Sequence, residues 1–162
     1  MLKILSDSDI EALVIEPKRI PDGLFPLKRM AQHGGHERKD FQVESRINSG
    51  NGFTIKVRQS LLNPLDFSAI LGYNVPGTNA VFRLRRYNGS NHDHTNPLER
   101  QTLSGFHIHK ATERYQRVGS REDTYAEVTS SHSSLETAIK AMLRDCGFDP
   151  PETPGNLFGD SI

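Results

Sequence analysis

The sequence predicts an α+β protein: a mostly antiparallel sheet of about six strands, with a short N-terminal and a longer C-terminal helix packed on one face. Apolar residues alternate with a period of two across residues 41–130, turn signals separate these runs, and helical spacing is confined to the two ends. The 162 residues fit one domain. We divide it into an N-terminal helix and loop arm (1–40), the sheet (41–130), the C-terminal helix (133–147) and a tail (148–162).

The N-terminal helix is predicted over residues 7–15, with Asp7 placed to cap it. Its apolar stripe, at helical spacing, consists of Ile10, Leu13 and Val14. Pro17 ends or bends this helix. Residues 19–40 follow and are rich in Gly and Pro, so they are predicted to form a loop.

The strongest hairpin signal joins residues 41–47 to residues 53–58. Alternating apolar side chains flank a stretch, Asn48 to Gly52, that is made of Asn, Ser and Gly. Four more strands are predicted by alternation and by the turns between them, over residues 67–75, 81–89, 106–115 and 124–129. The long polar stretch between the strands at 81–89 and 106–115 is predicted to be a loop.

The C-terminal helix is predicted to start at a capping box formed by Ser133 and Glu136. Its buried face is predicted to consist of Leu135, Ile139, Met142, Leu143 and Cys146. Gly147 is placed to end the helix. The proline-rich tail that follows is not predicted to be helical.

Composition narrows the class of protein. The twenty Lys and Arg balance the twenty Asp and Glu, so net charge predicts no partner. The single cysteine, Cys146, excludes a disulfide framework and a thiolate metal site, and it favours a reducing compartment. The N-terminus lacks a secretory signal, and no stretch approaches the roughly 18 apolar residues that span a bilayer. We therefore expect a cytoplasmic protein without membrane association.

Alternation also sorts the strand side chains into two faces. The helices can cover only the apolar face, which takes side chains such as Phe82, Leu84, Phe106 and Ile108. The open face is predicted to be basic and to carry histidines and tyrosines, namely Lys56, Arg58, Arg83, Arg85, Tyr87, His107, His109 and Tyr115.

This open face suits metal-independent cleavage of RNA. Histidine serves both proton-transfer roles because its unperturbed pKa, roughly 6.5, lies near working pH. His107 and His109 are the predicted acid–base residues, with His94 as their partner. The candidates for holding phosphate through a guanidinium fork or for stacking on a base are Arg83, Arg85, Tyr87 and Tyr115. No cofactor is predicted for this reaction.

Two other interpretations stay open. A non-catalytic module would bind protein or nucleic acid through the same face, with the polar loop and the outward Arg and Glu serving only as hydrogen-bonding groups. A metal-dependent hydrolase would instead use zinc or manganese, because two histidines at i and i+2 of a strand point to the same side. Its candidate ligands are His92, His94, His107 and His109.

The run FRLRRYNGSNHDHTNP, followed by FHIHKATERY, resembles the central signature of a family of small uncharacterised bacterial and phage proteins. These combine an Arg-aromatic strand, a His-Thr-Asn-Pro loop and a His-x-His strand. TumE-type toxins of toxin–antitoxin systems are more distantly similar, but they are shorter, lack the 19–40 segment and differ in the loop. The resemblance covers residues 81–127. It implies a cytosolic mobile-element or toxin–antitoxin protein with RNA and an antitoxin as partners, and it singles out Arg85, Tyr87, His94, His107 and His109.

Overall fold

The computed structural model describes residues 3–27 and 30–149. In chain order the elements are α1 (Asp7–Ile15), β1 (Ala31–His33), β2 (His36–Glu44), β3 (Gly52–Ser60), β4 (Phe67–Asn74), β5 (Val81–Asn88), β6 (His94–Asn96), β7 (Gln101–Leu103), β8 (His107–Lys110), α2 (Glu113–Arg117), β9 (Ala126–Val128) and α3 (Leu135–Asp145). Seven strands form one antiparallel sheet in the order β1-β2-β3-β4-β5-β8-β9, and β6 pairs with β7 in a separate hairpin. The predicted α+β class is confirmed.

Helices α1 and α3 cover the apolar face of the seven-stranded sheet. Ile10 and Val14 of α1 belong to the same buried cluster as the strand residues Phe53, Ile55 and Leu71. All five residues predicted for the inner face of α3 are buried: Leu135, Ile139, Met142, Leu143 and Cys146. Burying one such aliphatic or aromatic side chain stabilises the fold by about 1.5–3 kcal/mol.

None of the helices that the structure describes is long and apolar enough to cross a membrane.

Both helix caps lie one residue away from their predicted positions. The Ser6 side chain, rather than Asp7, caps α1 by accepting a hydrogen bond from the backbone of Asp9. Helix α3 is capped by Ser134, whose partner in the capping box is the hydroxyl of Thr137. The helix spans are confirmed because apolar spacing sets them, whereas neighbouring Ser and Asp residues compete for the cap.

The predicted loop over residues 19–40 is wrong for its second half. β2 begins at His36, where it pairs with Ser60 of β3, and β1 pairs with its outer edge. Neither face of the sheet is buried at residues 36–40, and all five residues are polar. The sequence therefore shows no alternation of apolar and polar residues that would predict a strand there.

Of the predicted tail, residues from 150 onward lie outside the described part of the chain.

A β-bulge in β5 changes which side chains face the helices. Leu71 of β4 pairs with Arg85 and Gly72 pairs with Arg83, so Leu84 is an extra residue in β5. A bulge of this kind reverses the alternation of every later residue in its strand. The sequence contains no Pro or Gly at this point of β5 that would have signalled it.

The predicted outward placement of Arg85 and Tyr87 is therefore wrong. Tyr87 pairs with Ala69 and Ile108, both of which lie in the core, and it is fully buried. Arg86 takes the place that alternation assigned to Arg85, since it pairs with His109 on the opposite face.

The predicted strand over residues 106–115 ends at Lys110. Thr112 then caps the short helix α2 by accepting a hydrogen bond from the backbone of Tyr115. Tyr115 consequently lies on a helix and is fully buried, so its predicted place on an exposed strand face is also wrong. A Thr before Glu113 is an N-terminal capping signal that could have revealed this helix.

Candidate functional site

Four histidines meet on the sheet face opposite α1 and α3. His107 and His109 lie two residues apart on β8, so they point to the same side. The β6–β7 hairpin brings His94 against them, and the loop before β6 brings His92. The ring-centre distances are 4.5 Å for His94–His109, 5.1 Å for His107–His109, 5.9 Å for His94–His107 and 6.2 Å for His92–His107. We call these four residues the histidine cluster.

Backbone carbonyls hold three of these rings in fixed tautomers. The hydrogen bonds run from His94 Nε2 to Thr124 O (2.9 Å), from His107 Nδ1 to Gly105 O (2.8 Å) and from His109 Nδ1 to Asp123 O (2.8 Å). A carbonyl oxygen only accepts, so each of these ring nitrogens carries the proton. In the neutral form of each ring the lone pair therefore lies on the other nitrogen: Nδ1 in His94, and Nε2 in His107 and His109.

Burial separates the cluster into an inner and an outer pair. His107 and His109 are 0% and 3% exposed, whereas His94 is half-buried and His92 is exposed. Burial lowers the pKa of His107, and it lowers the pKa of His109 to about 2, with the nearby Arg86 charge acting in the same direction. Both inner rings are therefore neutral near pH 7. They do not supply a general acid there, which counts against the predicted His107–His109 acid–base pair.

His107 contains a buried acceptor without a partner. Its Nε2 is inaccessible to solvent and forms no hydrogen bond with residues 3–27 or 30–149. Such an orphaned nitrogen costs about 1–3 kcal/mol relative to one that accepts a hydrogen bond.

Arginines and carboxylates border the histidine cluster on the β5 side. Arg86 sits directly across from His109 in the sheet, and Arg83 lies on the same face of β5. The ion pairs are Arg86–Asp123 (3.0 Å), Arg83–Asp123 (3.5 Å), Arg83–Glu122 (3.5 Å) and Arg121–Asp123 (3.8 Å). Three guanidinium groups thus face two carboxylates. The excess of positive charge favours an anionic ligand such as a phosphodiester.

Three of the residues predicted for this site lie elsewhere. Tyr87 donates a hydrogen bond to Asp145 of α3 (2.9 Å), and Arg85 lies 3.8 Å from Glu11 of α1. The buried Tyr115 hydroxyl binds the β6–β7 turn, where it accepts from the Leu98 backbone N–H and donates to Glu99. None of the three is placed to bind phosphate or to stack on a base beside the histidines.

Sequence reasoning missed two residues that shape the site. Asp123 has a fully buried side chain that binds Arg86, while its backbone oxygen binds His109. Asn96 accepts from His94 Nε2 (3.0 Å) through its fully buried side chain. The Asn of the His-Thr-Asn-Pro loop was a visible signal, but nothing in the sequence indicated which strand this loop contacts.

Metal binding receives no support from the arrangement of ligands. In the part of the chain that the structure describes, no group of three or more His, Cys, Asp or Glu side chains is placed to hold a metal ion. Arg86 also adds positive charge directly beside His109, which disfavours a second cation.

No protein-family model matches the chain, and comparisons with curated proteins and with solved structures return no match. The functional proposal therefore starts from the chemistry of the site.

Proposed function

We propose that the chain cleaves RNA without a metal ion, at the histidine cluster and the adjoining arginines Arg83 and Arg86. The observation that supports this most is the position of His94. Its ring is half-buried, its tautomer is fixed by Thr124, and its Nδ1 keeps a lone pair beside a surface with excess positive charge. An imidazole with an uncommitted ring nitrogen next to guanidinium groups suits cleavage of a phosphodiester without a metal ion.

The roles follow from exposure. His94 Nδ1 removes the proton from a ribose 2′-hydroxyl, whose oxygen attacks the neighbouring phosphorus. The bond from phosphorus to the 5′-oxygen breaks, and a 2′,3′-cyclic phosphate forms. His92 donates the proton that the leaving 5′-oxygen takes up, because it is the exposed member of the cluster. Arg83 and Arg86 stabilise the charge on the phosphorane oxygens.

In this scheme the inner pair has a positioning role. His109 packs edge-on against the ring of His94 at 4.5 Å, and it is kept neutral by burial and by Arg86. His107 lies within 6.2 Å of the rings of both His92 and His94. Neutral inner rings avoid like-charge repulsion when an outer histidine is protonated during the reaction.

A toxin-like role, RNA and an antitoxin as partners, and a cytoplasmic location form the wider part of this proposal. They are supported by the resemblance of residues 81–127 to the small bacterial and phage proteins and, more distantly, to TumE-type toxins. Arg86 lies in the same Arg-aromatic stretch as Arg85, so the proposed phosphate-binding residues stay within the motif that carries the resemblance.

A non-catalytic binding module is the second candidate, and the burial of His107 and His109 favours it. Both rings are individually satisfied by a backbone carbonyl on one nitrogen, as in an ordinary polar core. In that case the exposed positive charge near Arg83 and Arg121 would bind nucleic acid or an acidic protein, with no role for proton transfer.

The test is degradation of single-stranded RNA by the purified protein, with and without EDTA. Wild type and a His33→Ala control, altered at an exposed histidine of β1, should cleave in EDTA and leave cyclic phosphate ends. His94→Ala and His92→Ala should each lower the rate about 100-fold or more. Circular dichroism checks that each variant is folded.

Two other outcomes of this experiment would support the other two candidate functions. Cleavage that is lost in EDTA and restored by zinc or manganese would transfer the assignment to the metal-dependent hydrolase. RNA binding without cleavage by folded wild type would leave the binding module as the better account.

A further inference from the structure

The accessible acceptor of the histidine cluster points to the chemistry of its ligand. His94 Nε2 is committed to the Thr124 carbonyl and the Asn96 side chain, so Nδ1 alone is open to a ligand. In the neutral ring Nδ1 carries the lone pair, so the matching ligand group must donate a hydrogen bond. His94 therefore offers a ligand an acceptor and no donor.

The arginines place a second requirement on the same ligand. Arg86 is the cross-strand neighbour of His109, which puts their Cβ atoms roughly 4.5–5.5 Å apart. His94 packs directly on His109. A ligand that reaches both His94 and Arg86 must hold a donor and an anion within a few bonds of each other.

We infer that the cluster recognises a ribose 2′-hydroxyl next to a 3′-phosphate, and that the lone pair of His94 Nδ1 distinguishes ribonucleotides from deoxyribonucleotides. The two groups lie on adjacent ribose carbons, which satisfies both requirements. A deoxyribose lacks the donor, so His94 loses its partner while the arginine–phosphate contact is unchanged. This inference rests on the proposed function, but it concerns binding and does not depend on turnover.

Nucleoside 3′-monophosphates test the inference because they keep both groups and have no bond left to cleave. The four ribonucleoside 3′-monophosphates and their 2′-deoxy counterparts are titrated into the full-length protein in EDTA, at one salt concentration, and followed by NMR. The ribonucleotides should bind about tenfold more tightly, as expected for one lost hydrogen bond.

Variants separate the two contacts. His94→Ala should bring the ribo-to-deoxy ratio close to one, and His94→Phe, which keeps a ring of similar size, should do the same if the alanine variant does not fold. Arg86→Gln should weaken both series by a similar factor and leave the ratio unchanged. His33→Ala is the control and should behave as wild type.

Equal affinity of wild type for the two series would overturn the inference, and so would the absence of binding up to about 10 mM. The proposed function is scored separately by RNA cleavage. A ribonucleotide preference without cleavage keeps the inference and removes the catalytic proposal. Cleavage with equal affinities keeps the catalytic proposal and removes the inference.

Discussion

At the scale of single residues, Lys18 joins the C-terminal ends of helices α1 and α3. Its fully buried ammonium group lies within hydrogen-bond distance of four backbone oxygens, those of Leu13 (2.8 Å), Val14 (2.8 Å), Glu16 (2.9 Å) and Cys146 (2.9 Å), so two of them share one of its three N–H groups. Helix C-termini carry partial negative charge and unpaired carbonyls, so a cation there satisfies both. Burial lowers the pKa of Lys18 to about 8, which leaves it protonated at pH 7.

We expect Lys18→Met to lower the free energy of unfolding by about 2–4 kcal/mol, because four carbonyls lose their donor while the volume is kept. Urea denaturation at pH 7 measures the change. Lys140→Met provides the control, since Lys140 is an exposed residue of α3 that pairs with Glu136 (3.6 Å) and lies over the Phe25 ring. It should change the stability by less than about 0.5 kcal/mol. A Lys18→Met variant as stable as wild type would refute this role.

At the scale of secondary-structure elements, the Asn96 side chain joins the β6–β7 hairpin to edge strand β9. The Asn96 amide accepts a hydrogen bond from Ala126 N (2.9 Å) and donates one to Ala126 O (2.8 Å). It thereby pairs with the backbone of β9 as a neighbouring strand would. Asn96→Ala should cost about 1–3 kcal/mol and speed hydrogen exchange at the Ala126 amide. Thr95→Ala removes only an exposed hydrogen bond within the hairpin, to Thr102 (2.9 Å), so it should cost less than about 1 kcal/mol and leave exchange at the Ala126 amide unchanged. Unchanged exchange in Asn96→Ala would show that other contacts hold the hairpin.

Helices and strands could be predicted from the sequence where their own residues show the apolar spacing of a helix or a strand. The spans of α1 and α3 and the β2–β3 hairpin follow from spacing and turn residues alone. The bulge at Leu84 does not, because it arises from pairing with β4, and its effect on Arg85 and Arg86 is invisible in either strand alone. The β6–β7 hairpin is likewise stabilised by a distant contact with β9, which local sequence does not encode.

The site was predictable in part for the same reason. The spacing of His107 and His109 on one strand fixes their common direction, and the loop that follows β5 contains the other two histidines. The β6–β7 hairpin lies over β8 and determines which histidine rings are buried. The sequence alone could therefore not indicate that His107 and His109 form the inner pair. Nor could it show that Arg86, and not Arg85, shares their face.

At the scale of the whole molecule, three buried neutral histidines set the response to acid. Burial lowers the pKa of His107, His109 and His132 below the value of about 6.5 that each has in the unfolded chain. As the pH falls below about 6.5, the unfolded chain therefore takes up protons that the folded chain does not. Stability is fully present above this pH and decreases below it, by up to about 1.4 kcal/mol per pH unit for each histidine.

We therefore expect the free energy of unfolding to fall by several kcal/mol between pH 6.5 and pH 5, a window that lies above the usual range of carboxylates. Urea denaturation at half-unit steps measures the slope. His109→Gln removes one of the three titrations, so its slope should be shallower by about 1.4 kcal/mol per pH unit even if its stability at pH 7 is lower. His33→Gln, at an exposed position in β1, should keep the wild-type slope. The slope depends only on the difference in bound protons between the folded and the unfolded chain. A flat wild-type profile between pH 6.5 and pH 5 would therefore mean that the folded chain protonates these histidines as readily as the unfolded chain does. In that case the inner pair is not held neutral.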